Sequence, residues 1–112
     1  MINYNNKKFI PKNISINGEV DETTVFHYKQ VDNILTCTYT SKEIVFGHLL
    51  GTVSDEGIID LRYHQINKNG EINTGVCIST PTILENGKIQ LEEKWNWTSG
   101  DFSNGKATLI EL

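Results

Sequence analysis

The sequence predicts an all-β domain, an antiparallel up-and-down β-barrel of about eight strands, from three observations. From Thr23 onward, short runs rich in Val, Ile, Thr, Tyr and Phe alternate with clusters of turn residues. Three of those clusters, Asp55-Glu56-Gly57, Lys68-Asn69-Gly70 and Glu85-Asn86-Gly87, close on glycine, as a type I turn ending at positive φ requires of a three-residue hairpin loop. No segment carries a helical period for longer than a turn. Sequential hairpins of this kind favour a barrel over a sandwich.

The elements follow in order. A first strand is expected within the segment between Lys7 and Val20. Thr24–Gln30 and Ile34–Thr40 come next, joined by a two-residue turn at Asp32-Asn33 that puts Phe26 and Tyr28 on one face with Cys37 and Tyr39. Glu43–Ser54, Ile58–Asn67, Glu71–Leu84 and Lys88–Thr98 are linked by the three glycine turns, and Lys106–Leu112 completes the set. In Lys88–Thr98 the residues Ile89, Leu91, Trp95 and Trp97 alternate with Lys88, Gln90, Glu92, Lys94 and Asn96, which makes its inner face plain and places Glu93 on that face.

Residues opposite one another in an antiparallel pair share a face, so the turns carry this assignment to the neighbouring strands. One layer then holds Val53, Ile59, Ser79 and Glu93. The next holds Gly51, Leu61, Cys77 and Trp95, and a third holds Leu49, Tyr63, Gly75 and Trp97, with Gln65 beside Gly47. Glycines beside indoles and a phenol leave room for the large rings in a small barrel. Glu56 decides for three-residue turns, because a two-residue type I′ loop needs positive φ at both positions and Glu is poorly suited to it. A register shifted by one would instead carry Arg62 and His64 inside with Glu93.

A chain of 112 residues builds one domain, taken as 1–112, with a single core. The net charge of −4 argues against nucleic-acid and anionic-membrane partners. No apolar run reaches membrane-span length, and Met1 to Gly18 lacks the apolar stretch of a signal peptide. A cytoplasmic location is therefore expected, with Cys37 and Cys77, widely spaced, as two buried thiols.

The residue with the sharpest chemical implication is Glu93. A carboxyl group on an inward face must be paired, hydrogen-bonded or neutral. Ser79 is its nearest polar neighbour by register, with Tyr63, Gln65, Tyr28 and Tyr39 farther away. The expected ligand-binding set is Trp95, Trp97, Tyr63, Gln65, Cys77, Ser79, Glu93 and Leu49. If the barrel is instead a small lyase or isomerase, Glu93 is the acid/base and Tyr63 holds a substrate oxygen. His48 and His64 face each other across strands on the outer wall, but two ligands without a third make a weak metal site, and no metal or other cofactor is expected.

The same outer wall carries Phe46, Leu50, Ile66, Ile72, Val76 and Ile78, which suggests either a homodimer contact or cover by the N-terminal segment. The connection from Ser99 to Gly105 is long enough to cap a barrel mouth. No phosphate-cradling glycine loop, nucleophile elbow, paired-cysteine motif or His-Glu-x-x-His occurs, which disfavours nucleotide chemistry and zinc hydrolysis.

The segments Asp60-Leu61-Arg62-Tyr63-His64-Gln65, Gly75-Val76-Cys77, Ser79-Thr80-Pro81, Asn86-Gly87-Lys88 and Glu93-Lys94-Trp95-Asn96-Trp97-Thr98-Ser99-Gly100-Asp101 together resemble a family of small bacterial proteins often labelled "n-acetylglutamate synthase". The resemblance runs from about Phe26 to the end, and the label implies acetyl transfer from acetyl-CoA to glutamate. Acetyltransferases of that kind place the pyrophosphate at a helix start behind a glycine loop, and this sequence predicts neither. In architecture the chain also resembles calycin and avidin-like barrels, which implies a small apolar or amphipathic ligand. Three readings thus stand: a barrel that binds a small organic molecule, a small lyase or isomerase, and a filled barrel whose wall docks a protein.

Overall fold

The computed structural model describes residues 2–14 and 20–112, with the side chains of residues 13 and 14 left aside. Nine strands follow one another: β1 (Lys8–Ile14), β2 (Phe26–His27), β3 (Lys29–Val31), β4 (Ile34–Tyr39), β5 (Ile44–Val53), β6 (Ile59–Asn67), β7 (Ile72–Ile83), β8 (Ile89–Trp97) and β9 (Asn104–Glu111). They form a single antiparallel sheet in the order β2-β1-β9-β8-β7-β6-β5-β4-β3. The expected all-β fold is therefore present, as a nearly closed barrel.

Closure depends on Tyr28. The single strand expected over Thr24–Gln30 is split there, because Phe26 and His27 pair with β1 while Lys29–Val31 pair with β4. The Tyr28 N–H donates to the Lys7 carbonyl at 2.9 Å, and its own carbonyl accepts from the Asn6 N–H at 2.9 Å. One stretch of chain so serves both ends of the sheet and removes most of the open edge. The first strand, expected between Lys7 and Val20, is β1, which pairs with β9 and carries an irregularity between Pro11 and Asn13. Residues 15–19 of that expected segment lie outside the described residues.

The turns set the register as read. Gly57, Gly70 and Gly87 have φ of 84°, 79° and 84°, and each turn is bracketed by a backbone pair such as Ser54 N–H to the Ile58 carbonyl at 2.9 Å. The cross-strand rows are Val53–Ile59–Ser79–Glu93–Ala107, Gly51–Leu61–Cys77–Trp95–Gly105 and Leu49–Tyr63–Gly75–Trp97. The shifted register is ruled out: the Arg62 side chain is 64% exposed and pairs with Asp60 at 2.6 Å on the outer wall.

One end of the barrel is packed solid. Tyr4 is fully buried, its ring 6.1 Å from Phe9 and 6.2 Å from Tyr28. Its hydroxyl donates to the Gly57 carbonyl at 2.5 Å, and its N–H donates to Gln30 Oε1 at 2.9 Å. Leu35, Ile59 and Leu91 are fully buried as well. The described N-terminal residues thus close a barrel end and leave the β5–β7 wall uncovered, contrary to one of the two expectations for that wall. Phe46, Leu50, Ile72 and Ile78 are exposed there. Among the described residues, no helix is long and apolar enough to cross a membrane.

Candidate functional site

The other half of the barrel encloses a cavity. Its room for the centres of water-sized atoms is about 80 Å³, several times the roughly 10–15 Å³ that one water needs on that scale. The lining is mostly apolar and aromatic. Rings come from Phe26, Tyr28, Tyr39, Tyr63, Trp95 and Trp97, aliphatic surface from Leu49 and Leu61 among others, and polar groups from Gln65, Cys77 and Glu93.

Two glycines make room for this aromatic lining. Tyr63 pairs with Gly75, and a Cβ added at Gly75 would clash with Cζ and the hydroxyl oxygen of Tyr63. Tyr39 stands in the same relation to Gly47. Each ring therefore lies flat over its partner's backbone instead of crossing the lumen, and the lumen stays open. Tyr63 meets Trp97 edge to face at 5.4 Å, and Trp97 meets Trp95 likewise at 6.0 Å. Such T-shaped packing holds indole faces at defined angles. At the upper layer the Tyr39 hydroxyl donates to Gln65 Oε1 at 2.8 Å.

Glu93 is the acidic group of the lining. Its Oε2 accepts from the Ser79 hydroxyl at 2.6 Å. Burial pushes its pKa above the ordinary 4.5, while hydrogen bonds from Ser79 and Cys77 pull the other way. Burial outweighs them, so the neutral form is favoured more than in a free carboxyl. Burial also raises the phenols of Tyr28 and Tyr63, with further upward pressure from the Glu93 carboxyl. The Cys77 thiol is pushed up by burial and then by Glu93, and the Cys37 thiol is pushed up to about 12 by burial. Both cysteines are free and buried.

Of the eight expected binding residues, seven line this cavity: Leu49, Tyr63, Gln65, Cys77, Glu93, Trp95 and Trp97. Ser79 does not. It is fully buried behind the carboxyl and acts as its hydrogen-bond donor. Tyr28, read as a distant neighbour of Glu93, lines the cavity directly. Pro11, Val20 and Ala107 also line it and were not expected. Of these, Ala107 had a signal, since it pairs with Glu93 on the adjacent strand. The Ser99–Gly105 connection is absent from the lining. Ser99 Oγ instead accepts from the Thr74 N–H at 2.9 Å and so ties the loop to β7. β9 begins at Asn104, earlier than expected, which brings Gly105 opposite Trp95.

On the outer wall the His48 and His64 rings stand 5.3 Å apart. Among the described residues no group of three or more potential metal ligands occurs.

The family model described as avidin-like protein matches residues 2–112. The chain belongs to the avidin-like proteins. No curated protein and no solved structure matches it. The cavity of this avidin-like chain is walled by aromatic rings and carries the Glu93 carboxyl in its lining, an arrangement that can hold a small organic molecule by burial and orient it by a few polar contacts.

Proposed function

We propose that this avidin-like barrel binds a small organic molecule in the cavity beside Trp95 and Trp97, with Glu93 orienting it. The observation that carries the reading is the combination of a sealed lower end, capped by Tyr4, with an unfilled upper half whose lining holds six aromatic rings and one acid. A filled barrel would have no such space. The lyase alternative draws less support, because no Lys, Arg or His among the described residues lines the cavity to take up a developing negative charge. The acetyl transfer implied by the family label also draws less, since every described element is a strand and a pyrophosphate site at a helix start has no place among them.

The test is a screen of small metabolites by tryptophan fluorescence, repeated on Trp97→Leu. Quenching by one or more compounds, weakened in the variant, supports binding; no response from a broad set, with the protein folded, refutes it. For location we propose the cytoplasm, where two buried unpaired thiols stay reduced. We also propose that the wall of Phe46, Leu50, Ile66, Ile72, Val76 and Ile78 packs on a second copy of the chain. Its charge is already balanced by the Arg62–Asp60 pair, so two such faces meet without repulsion.

A further inference from the structure

We infer that the molecule bound in this cavity is a small organic monocation, an amine or quaternary ammonium, whose charge sits between the Glu93 carboxyl and the faces of Trp95 and Trp97. The inference rests on the binding reading above and specifies its ligand class. It comes from asking where the counter-charge to Glu93 is. On β7 the partner is Ser79, and on β9 it is the Ala107 methyl. Along β8 the inward neighbours are Leu91 and Trp95, both buried. Across the lumen are Tyr28 and Tyr63, whose phenols feel the carboxyl's charge.

Every titratable group facing Glu93 from these elements is a phenol or a thiol, neutral at physiological pH. The lysines beside it in the sheet, Lys94 on β8 and Lys106 on β9, sit opposite each other on the outward face and are exposed. A carboxylate offers about four acceptor positions, and Ser79 and Cys77 supply two donors. Among the described residues, the half-buried Glu93 carboxyl thus faces hydroxyls, a thiol, a methyl and aromatic rings, but no cation.

A buried carboxylate without a counter-charge is costly, and the usual remedies are protonation or an opposite charge. A ligand cation supplies the second remedy. The walls suit it, because ammonium groups are attracted to the faces of indole and phenol rings within about 6 Å. The Trp95, Trp97 and Tyr63 rings, set edge to face, present several such faces around one space. An anionic ligand would meet the carboxyl and the same negative ring faces, and is disfavoured. A cation beside Glu93 favours the ionised carboxylate, so at pH below the titration midpoint of the unliganded carboxyl binding releases a proton, and affinity tightens as pH rises through that midpoint.

The experiment compares three molecules of one shape: cyclohexylammonium, cyclohexanol and cyclohexanecarboxylate. Affinities are read by tryptophan fluorescence and calorimetry on the native protein and on Glu93→Gln, which keeps the shape of the protonated acid. The ammonium is expected to bind about tenfold or more tighter than the alcohol, with proton release detected by repeating the calorimetry in buffers of different protonation enthalpy. Glu93→Gln removes both the preference and the proton release. Trp97→Leu weakens the ammonium by about two- to thirtyfold. Binding of the alcohol or the carboxylate as tightly as the ammonium overturns the cation inference and leaves the pocket reading standing. Failure of all three to bind at their solubility limits overturns the cation inference, and the broad metabolite screen then decides the pocket reading.

Discussion

Replacing Gly75 with alanine tests how the cavity is kept open. The added Cβ would lie 2.7 Å from Cε2 of Tyr63 and closer still to the outer ring atoms, so the ring has to leave the β7 backbone. Overpacking of this kind costs about 1–3 kcal/mol. Moving the ring also breaks its edge-to-face contact with Trp97 at 5.4 Å, which adds about 0.5–1.5 kcal/mol. The sum is about 1.5–4.5 kcal/mol. With an unfolding entropy of about 2.1 cal/mol/K per residue, a chain this size loses about 4 °C of Tm per kcal/mol, so Gly75→Ala is expected to melt about 6–18 °C lower by calorimetry. The control is the same change in a Tyr63→Leu background, where the clash is gone and alanine in a strand is favoured over glycine by about 0.5–1 kcal/mol. Equal penalties in the two backgrounds would mean that Tyr63 does not lie over Gly75, and the register argument would be wrong.

Glu93→Gln makes a prediction with a definite sign. The folded-state pKa of Glu93 lies above its ordinary 4.5, so its contribution to stability is fully present below the unfolded pKa and is lost as pH rises through the folded one. Denaturant titrations should therefore find the Gln variant matching the native protein in acid and more stable than it at neutral pH; a Gln variant less stable at every pH contradicts this. Tyr4→Phe removes the hydroxyl that donates to the Gly57 carbonyl and should cost about 1–2 kcal/mol in urea unfolding, the lost hydrogen bond plus an unsatisfied carbonyl. Because burial pushes the Cys37 thiol up to about 12 and the Cys77 thiol up as well, neither should react with a thiol reagent in the native state at neutral pH, while both should react in denaturant. Leu50→Glu, on the exposed wall, should shift a dimer to monomer in light scattering without lowering Tm, if the wall packs on a second copy.

What the sequence made legible was set by local chemistry. The glycine turns fix their loop length through backbone geometry at three positions, and the clean alternation in Lys88–Thr98 names an inside. Together these two signals place Glu93, Trp95, Tyr63 and Gly75 without reference to any distant contact. The split at Tyr28 was not legible, because the alternation of Phe26, Tyr28 and Gln30 continues through it unbroken. Only the meeting of β1 with that stretch, a contact between segments far apart in the chain, divides the pairing. Tyr4 was missed for a related reason, since its burial depends on a carbonyl at Gly57 and nothing near it in sequence announces a core position. Ser79 shows the limit of face assignment: the inward face was right, but depth within the barrel separates a lining side chain from one buried behind it.

The central claim is that the register gathers an acid and two indoles into one lumen. Its most direct test is the titration of the Glu93 side-chain carboxyl by ¹³C NMR, assigned through the disappearance of its resonance in Glu93→Gln. A midpoint clearly above 4.5, displaced downward when cyclohexylammonium is added, is the predicted result. A midpoint at or below that value would place the carboxyl in water and contradict the account.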